Sequence, residues 1–150
     1  MQMPRPYTTT DFAACLDLFD GNVPTFFSRE ERPAFVTFLR EAASGWNYHV
    51  IERNAQVVAA GGYALSDDGR CASFCWGMVA PALQRQGLGT ALVQARLRAA
   101  RRTPGVSQVL LDTSQRTCAF YARFGFVVQV VTANGYGPGL DRYDMVLRLD

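Results

Sequence analysis

Ser73-Phe74-Cys75-Trp76-Gly77-Met78-Val79, followed by Gln84-Arg85-Gln86-Gly87-Leu88-Gly89-Thr90, decide the fold of this chain. The first stretch is an apolar run with the character of a strand. The second opens a segment of helical periodicity from Leu88 to Arg102. The first N–H groups of a helix have no partner within it, and the helix dipole places partial positive charge there. Glycines let the backbone approach an anion closely. Strand, glycine-containing turn and helix start together predict a phosphorylated ligand held by main-chain N–H groups, with Arg85 adding a full charge.

The loop is not a Walker A motif, because no Gly-Lys-Ser or Gly-Lys-Thr follows. It is a poor dinucleotide fingerprint, because the third glycine position falls on Leu92. Gly87 and Gly89 alone would also suit a plain helix-entry turn. The longer stretch Val79-Ala80-Pro81-Ala82-Leu83-Gln84-Arg85-Gln86-Gly87-Leu88-Gly89-Thr90-Ala91-Leu92 resembles the acetyl-CoA-binding signature of the GCN5-related N-acetyltransferases, Q/R-x-x-G-x-G/A. Gln84, Gly87 and Gly89 fill its defining positions. Downstream, Ser114 to Phe126 is similar to the family's helix ending in F-Y-x-x-x-G-F, with Ser114 where Asn is common. The two matches keep the family's order and spacing over about a third of the chain.

The chain has 150 residues, 49% of them apolar, which suits a single domain over 1–150. A chain of this length buries ~68–70% of its unfolded surface and needs no staples. The net charge of +2 argues against a dedicated nucleic-acid binder. Arg96, Arg98, Arg101 and Arg102 read as a solvated helix face with cations near its C-terminus. There is no secretory signal and no apolar run of about 18 residues, so the expectation is a cytoplasmic protein without a membrane span. Cys15, Cys71, Cys75 and Cys118 lack metal-ligand spacing, and His49 is the one histidine. No metal is expected, and the cysteines read as reduced.

Pro4 and Pro6 allow only a short N-terminal edge strand. Thr10-Asp11 can cap a helix running to about Asp20. Ser28 to Glu31 form a capping box that opens a helix to about Ala43. Tyr48–Arg53 and Gln56–Leu65 read as paired strands around Asn54-Ala55, and Cys71–Val79 as the next strand. The helix after the loop is expected to bury Leu88, Leu92, Ala95 and Ala99, flanked by Val93 and Leu97. Val106–Leu111 follows as a strand parallel to its predecessor, since a helix joins them. Ser114 can cap a helix over about Gln115–Phe124. Phe126–Thr132 and the alternating Tyr143, Met145, Leu147 and Leu149 give two last strands around a loop at Asn134–Gly139. The order ααβββαβαββ is a mixed α/β sheet. It also fits the resemblance, which implies two central strands that splay apart to admit a cofactor.

That resemblance implies an acetyl-CoA-dependent N-acetyltransferase, with direct attack of the acceptor amine in a ternary complex. The pyrophosphate would sit on the N–H groups of Arg85, Gln86, Gly87, Leu88, Gly89 and Thr90, with the Arg85, Gln86 and Thr90 side chains assisting. Met78 and Val79 would supply main-chain hydrogen bonds to the pantetheine arm. The Val79 N–H would also polarise the thioester carbonyl. Tyr121 would assist the thiolate leaving group, with Ser114 and Phe120 beside the cofactor. The strand Ser73–Gly77 lacks the family's frequent acid, which leaves Glu52 as the candidate base and Asp112 as a weaker one. An alternative from a different class is a non-catalytic coenzyme A-binding or regulatory module. The acceptor would be a small-molecule or peptide amine, shaped by Asn22–Glu31 and Asn134–Asp141. Phe26, Phe27, Tyr136 and Trp46 suggest an aromatic pocket. Neither nucleic acid nor membrane is expected as a partner, and a homodimer is compatible with these features.

Overall fold

The computed structural model describes residues 3–149. Its regular elements are β1 (Arg5–Pro6), α1 (Phe12–Gly21), α2 (Arg32–Glu41), β2 (His49–Arg53), β3 (Gln56–Leu65), β4 (Cys71–Val79), α3 (Leu88–Arg102), β5 (Gln108–Thr113), α4 (Cys118–Ala122), β6 (Val127–Gly137) and β7 (Leu140–Arg148). This is the expected order, with the short edge strand in front. The strands form one sheet in the order β1-β2-β3-β4-β5-β7-β6. All neighbours are antiparallel except β4 and β5, the pair joined through α3.

Each sheet face carries two helices. On one, α1 and α2 bury Cys15, Phe19, Phe35 and Leu39 against Tyr48, Val50, Ala60 and Met78. On the other, α3 and α4 cover Ala72, Phe74, Val109 and Leu111. A fully buried Phe or Leu contributes roughly 1.5–3 kcal/mol, so these two apolar layers hold the sheet between them.

Local chemistry moves several boundaries. The first helical segment begins with a 3-10 turn at Thr9–Asp11 and is capped by Thr8, not by Thr10-Asp11. Asp11 is instead the reciprocal member of that cap, accepting the Thr8 N–H at 2.9 Å. It also receives both ends of the Arg5 guanidinium, at 2.9 and 2.8 Å. The box at Ser28 and Glu31 forms as read from the sequence.

The helix expected over Gln115–Phe124 is regular only from Cys118 to Ala122. Ser114 folds the preceding residues into a turn. Its carbonyl accepts from Thr117 and Cys118, and its Oγ accepts from the Arg116 N–H. The expected loop at Asn134–Gly139 is largely strand, because Gly137 pairs with Leu140 across a short tip. Asn134 supports this with a left-handed φ of 54° and an Oδ1 that accepts the Gly139 N–H at 2.8 Å.

On α3 the buried side chains are Leu88, Leu92, Val93, Arg96, Leu97 and Ala100. The stripe is rotated toward the expected flank of Val93 and Leu97, leaving Ala95 and Ala99 half-buried. Arg98, Arg101 and Arg102 are exposed as read, but Arg96 faces inward.

β4 and β5 pair over only three positions, Cys71–Ser73 against Gln108–Leu110. Beyond them β4 carries a bulge. Gly62 faces Cys75 while Ala60 faces Met78, so β4 holds one residue more than β3 there. Trp76 takes up the extra length with a φ of 44°. Its carbonyl is held by the buried Tyr48 hydroxyl at 2.9 Å, and its ring packs 4.9 Å from Phe35. A bulge bends and twists its strand, and here β4 parts from β5. The expected splay of two central strands is present.

Candidate functional site

A cleft of about 990 Å³ occupies the splay. One end is the turn into α3. Arg85 and Gly87 have φ values of 66° and 84°, which turn the chain sharply into the helix. Gln84, Arg85, Gly87, Leu88, Gly89 and Thr90 all line the cleft. Gly89 has a packing role as well, since a Cβ there would stand 3.1 Å from the Phe120 ring. Helix start and Phe120 thus form one continuous wall. Gln86 does not line the cleft; its Oε1 accepts a hydrogen bond from Arg53 at 2.6 Å.

β4 forms the second wall. The Ala80 N–H donates to the Val58 carbonyl at 2.8 Å. Successive residues of a strand turn their main-chain groups to opposite sides. Val79 therefore points its N–H and C=O away from β3, toward the splay, and its carbonyl accepts from Asn22 Nδ2 at 3.2 Å. Met78, paired with Ala60, turns its main chain into the sheet. Of the two residues, Val79 turns its main chain toward the cleft and Met78 does not. Asn22 is 2% exposed and also donates to the Leu18 carbonyl, fixing the end of α1 against β4.

Tyr121 and Ser114 line the middle of the cleft. The Tyr121 ring packs edge-on against Phe120, with centroids 5.1 Å apart. Its hydroxyl lies 3.0 Å from where a Gly77 Cβ would stand, so glycine in the bulge makes room for it. Arg96 reaches the same place from α3.

Another part of the lining is aromatic and carries both charges, since Arg142 also lines the cleft and its Nη2 lies 3.8 Å from Asp112 Oδ1. Phe26, Phe27, Glu31, Asp112 and Tyr136 line it, whereas Trp46 packs on Phe38 outside it. The Tyr136 hydroxyl donates to Asp112 Oδ2, and the Ser28 hydroxyl ties the Tyr136 carbonyl at 2.5 Å. Burial, then the Asp112 charge, pushes the Tyr136 hydroxyl up and keeps it a donor. Glu31 is half-buried, and Oε2 accepts the Ser28 N–H at 2.8 Å. Burial raises its carboxyl above the usual range, with the Ser28 N–H opposing and Asp112 and Glu30 adding to the rise.

Glu52 is not in the cleft. It lies on β2, half-exposed, and accepts from Arg5 Nε at 2.7 Å. The missing acid on β4 made it the candidate; its strand puts it beyond reach. His49 is also outside, with Nδ1 2.7 Å from the Asn47 carbonyl. Cys75 lines the cleft, but burial pushes its thiol up to about 12, far from a nucleophilic thiolate. All four cysteines are free, and among the described residues no three potential metal ligands cluster. No helix of the described residues is long and apolar enough to cross a membrane.

The chain belongs to the acetyltransferase (GNAT) family, whose profile matches residues 12–126. No curated protein matches it significantly in sequence. Among solved structures, a GNAT-family protein from Desulfovibrio desulfuricans is similar over 99% of both chains, at 22% identity and a TM-score of 0.80. The ribosomal-protein-S18-alanine N-acetyltransferase of Escherichia coli is similar over all of this chain and 95% of its own, at 22% identity and a TM-score of 0.78. yncA from Salmonella typhimurium, solved with its cofactor acetyl-CoA, is similar over all of this chain and 95% of its own, at 20% identity and a TM-score of 0.74. These likenesses establish a shared fold.

Proposed function

We propose that the chain transfers an acetyl group from acetyl-CoA to an acceptor amine by direct attack. The observation that carries this reading is the arrangement along the splay. A helix N-terminus lies at one end, an outward-turned Val79 N–H follows, and Tyr121 stands at the bulge. When bound, acetyl-CoA supplies the acetyl group as an activated thioester.

The chain's own groups fit that donor. The N–H groups from Arg85 to Thr90 and the start of α3 suit a pyrophosphate, and Arg85 adds charge. Phe120 and Ser114 border the path between that end and Tyr121. The Val79 N–H donates to a carbonyl oxygen that gains negative charge. Tyr121 donates a hydrogen bond to the leaving sulfur as the C–S bond breaks.

The amine must lose a proton to attack. An alkylamine of pKa about 10.4 is handicapped by about 4.6 kcal/mol at pH 7. Glu31, with its raised pKa, accepts the proton that nitrogen sheds as the N–C bond forms, directly or through one water. Asp112 acts on Glu31 through its charge, which Arg142 Nη2 at 3.8 Å partly balances. Holding amine and donor together contributes about 7–11 kcal/mol more.

The test is thiol release from acetyl-CoA over a panel of small amines, amino acids and peptide N-termini. Release that depends on one acceptor class supports the reading. Tight acetyl-CoA binding without release from any amine rejects it in favour of a binding module.

A further inference from the structure

We infer that Arg96 receives a substrate carboxylate at the reacting end of the cleft, an inference that rests on the donor reading above. Arg96 is 6% exposed, and among the described residues it has no carboxylate partner. Buried charges are ordinarily paired, because removing a charge from water is costly. The guanidinium is nevertheless held firmly. Nε donates to the Leu92 carbonyl and Nη1 to the Gly62 carbonyl, both at 3.2 Å. Its carbon lies over the Phe74 ring, 4.1 Å from the centroid. A cation on an aromatic face is favourable, but that contact itself uses none of the in-plane donors.

Nη2 makes no hydrogen bond with any described residue. It is not sealed off either, since no fully buried side-chain nitrogen or oxygen lacks a partner. It opens on the cleft beside Gly77, where the Tyr121 hydroxyl also converges. Two glycines leave room around it, and Gly77 serves the Tyr121 hydroxyl as well. A Cβ on Gly61 would stand 3.1 Å from the guanidinium carbon, and one on Gly77 would stand 3.5 Å from Nη2. The fold thus clears space for a cation and aims its spare donors at the point where acyl transfer would occur.

A planar guanidinium with free N–H groups suits a carboxylate. Glu31 and Asp112 also line the cleft, and neither forms an ion pair with Arg96. The carboxylate has two possible sources: the far end of a dicarboxylic acyl group on the donor, or the acceptor itself.

Calorimetry separates the sources without turnover. In one arm the ligands are S-(2-carboxyethyl)-CoA and S-propyl-CoA, matched in length and unable to transfer. In the other, the chain is saturated with CoA and titrated with phenylalanine and phenylalaninamide. The expected result is at least tenfold tighter binding of the carboxylate member in one arm, which names the source. Arg96→Met should bring that preference below threefold while CoA affinity stays within threefold. Arg96→Lys should restore part of the preference. Gly61→Ala lies outside the cleft lining and displaces the guanidinium from behind, so it should cut the preference at least threefold even if Arg96→Met does not fold. CoA binding with no carboxylate preference in either arm, or a preference that survives Arg96→Met, overturns this inference alone. No CoA binding by the unaltered chain overturns the donor reading and this inference with it.

Discussion

Glu31 serves a helix cap and a cleft at once, and its two roles can be pulled apart. Glu31→Gln keeps an oxygen for the Ser28 N–H but removes the base. Turnover should fall about 10²-fold or more in steady-state kinetics. In the unaltered chain kcat/KM should rise with pH through a pKa above the usual carboxylate range. The sign for stability runs the other way. A carboxyl whose folded pKa is raised stabilises the fold below its unfolded pKa, and this is lost as pH rises through the folded pKa. Glu31→Gln should therefore unfold no more easily than the original at pH 7.

Asp11 is the contrary case. Its carboxyl is held low, chiefly by the Arg5 guanidinium. Its contribution is present above the unfolded pKa and lost as pH falls through the folded one. Asp11→Asn should cost about 1–3 kcal/mol at pH 7, read by urea unfolding, and little at pH 2. Tyr121→Phe tests the leaving-group role: turnover should fall with CoA affinity unchanged, and an unchanged turnover number would remove Tyr121 from the chemistry.

Among elements, the turn into α3 carries the most. Gly87 has a left-handed φ and open space around it, so Gly87→Ala meets strain without a clash. The expected loss is roughly 1–2 kcal/mol by thermal unfolding, and less for Gly87→Asn, which tolerates that region. This turn was also the most legible part of the chain. Strand, glycines and helix period all agree there, because local chemistry dictates them. What escaped was set by tertiary contacts. The side of α3 that is buried depends on Gly61 and Gly77, which are distant in sequence and admit Arg96. The late start of α4 depends on how Ser114 spends its carbonyl. Glu52 was a candidate because sequence does not reveal which strands border the splay.

Across the whole molecule, a ligand that occupies the splay binds only the folded chain. At a hundred times its Kd it should add about 2.7 kcal/mol. For a chain of this size that raises Tm by about 5–10 °C, measurable with CoA by scanning fluorimetry. At the far edge of the sheet, β6 exposes Val127, Val128, Val130 and Val131. An exposed apolar edge strand invites pairing with another chain. Val130→Lys should lower concentration-dependent light scattering and change stability by no more than about 0.5 kcal/mol.

The outward turn of Val79 and the bare start of α3 have a consequence for inheritance. Both offer peptide groups, which every amino acid carries. Exchanges of side chain along such a surface pass largely unrecorded, so lineages can drift far apart in spelling while the groove keeps its shape. A saturation scan would then be permissive at Val79 and Thr90 and intolerant at Gly87, where the backbone itself is at stake.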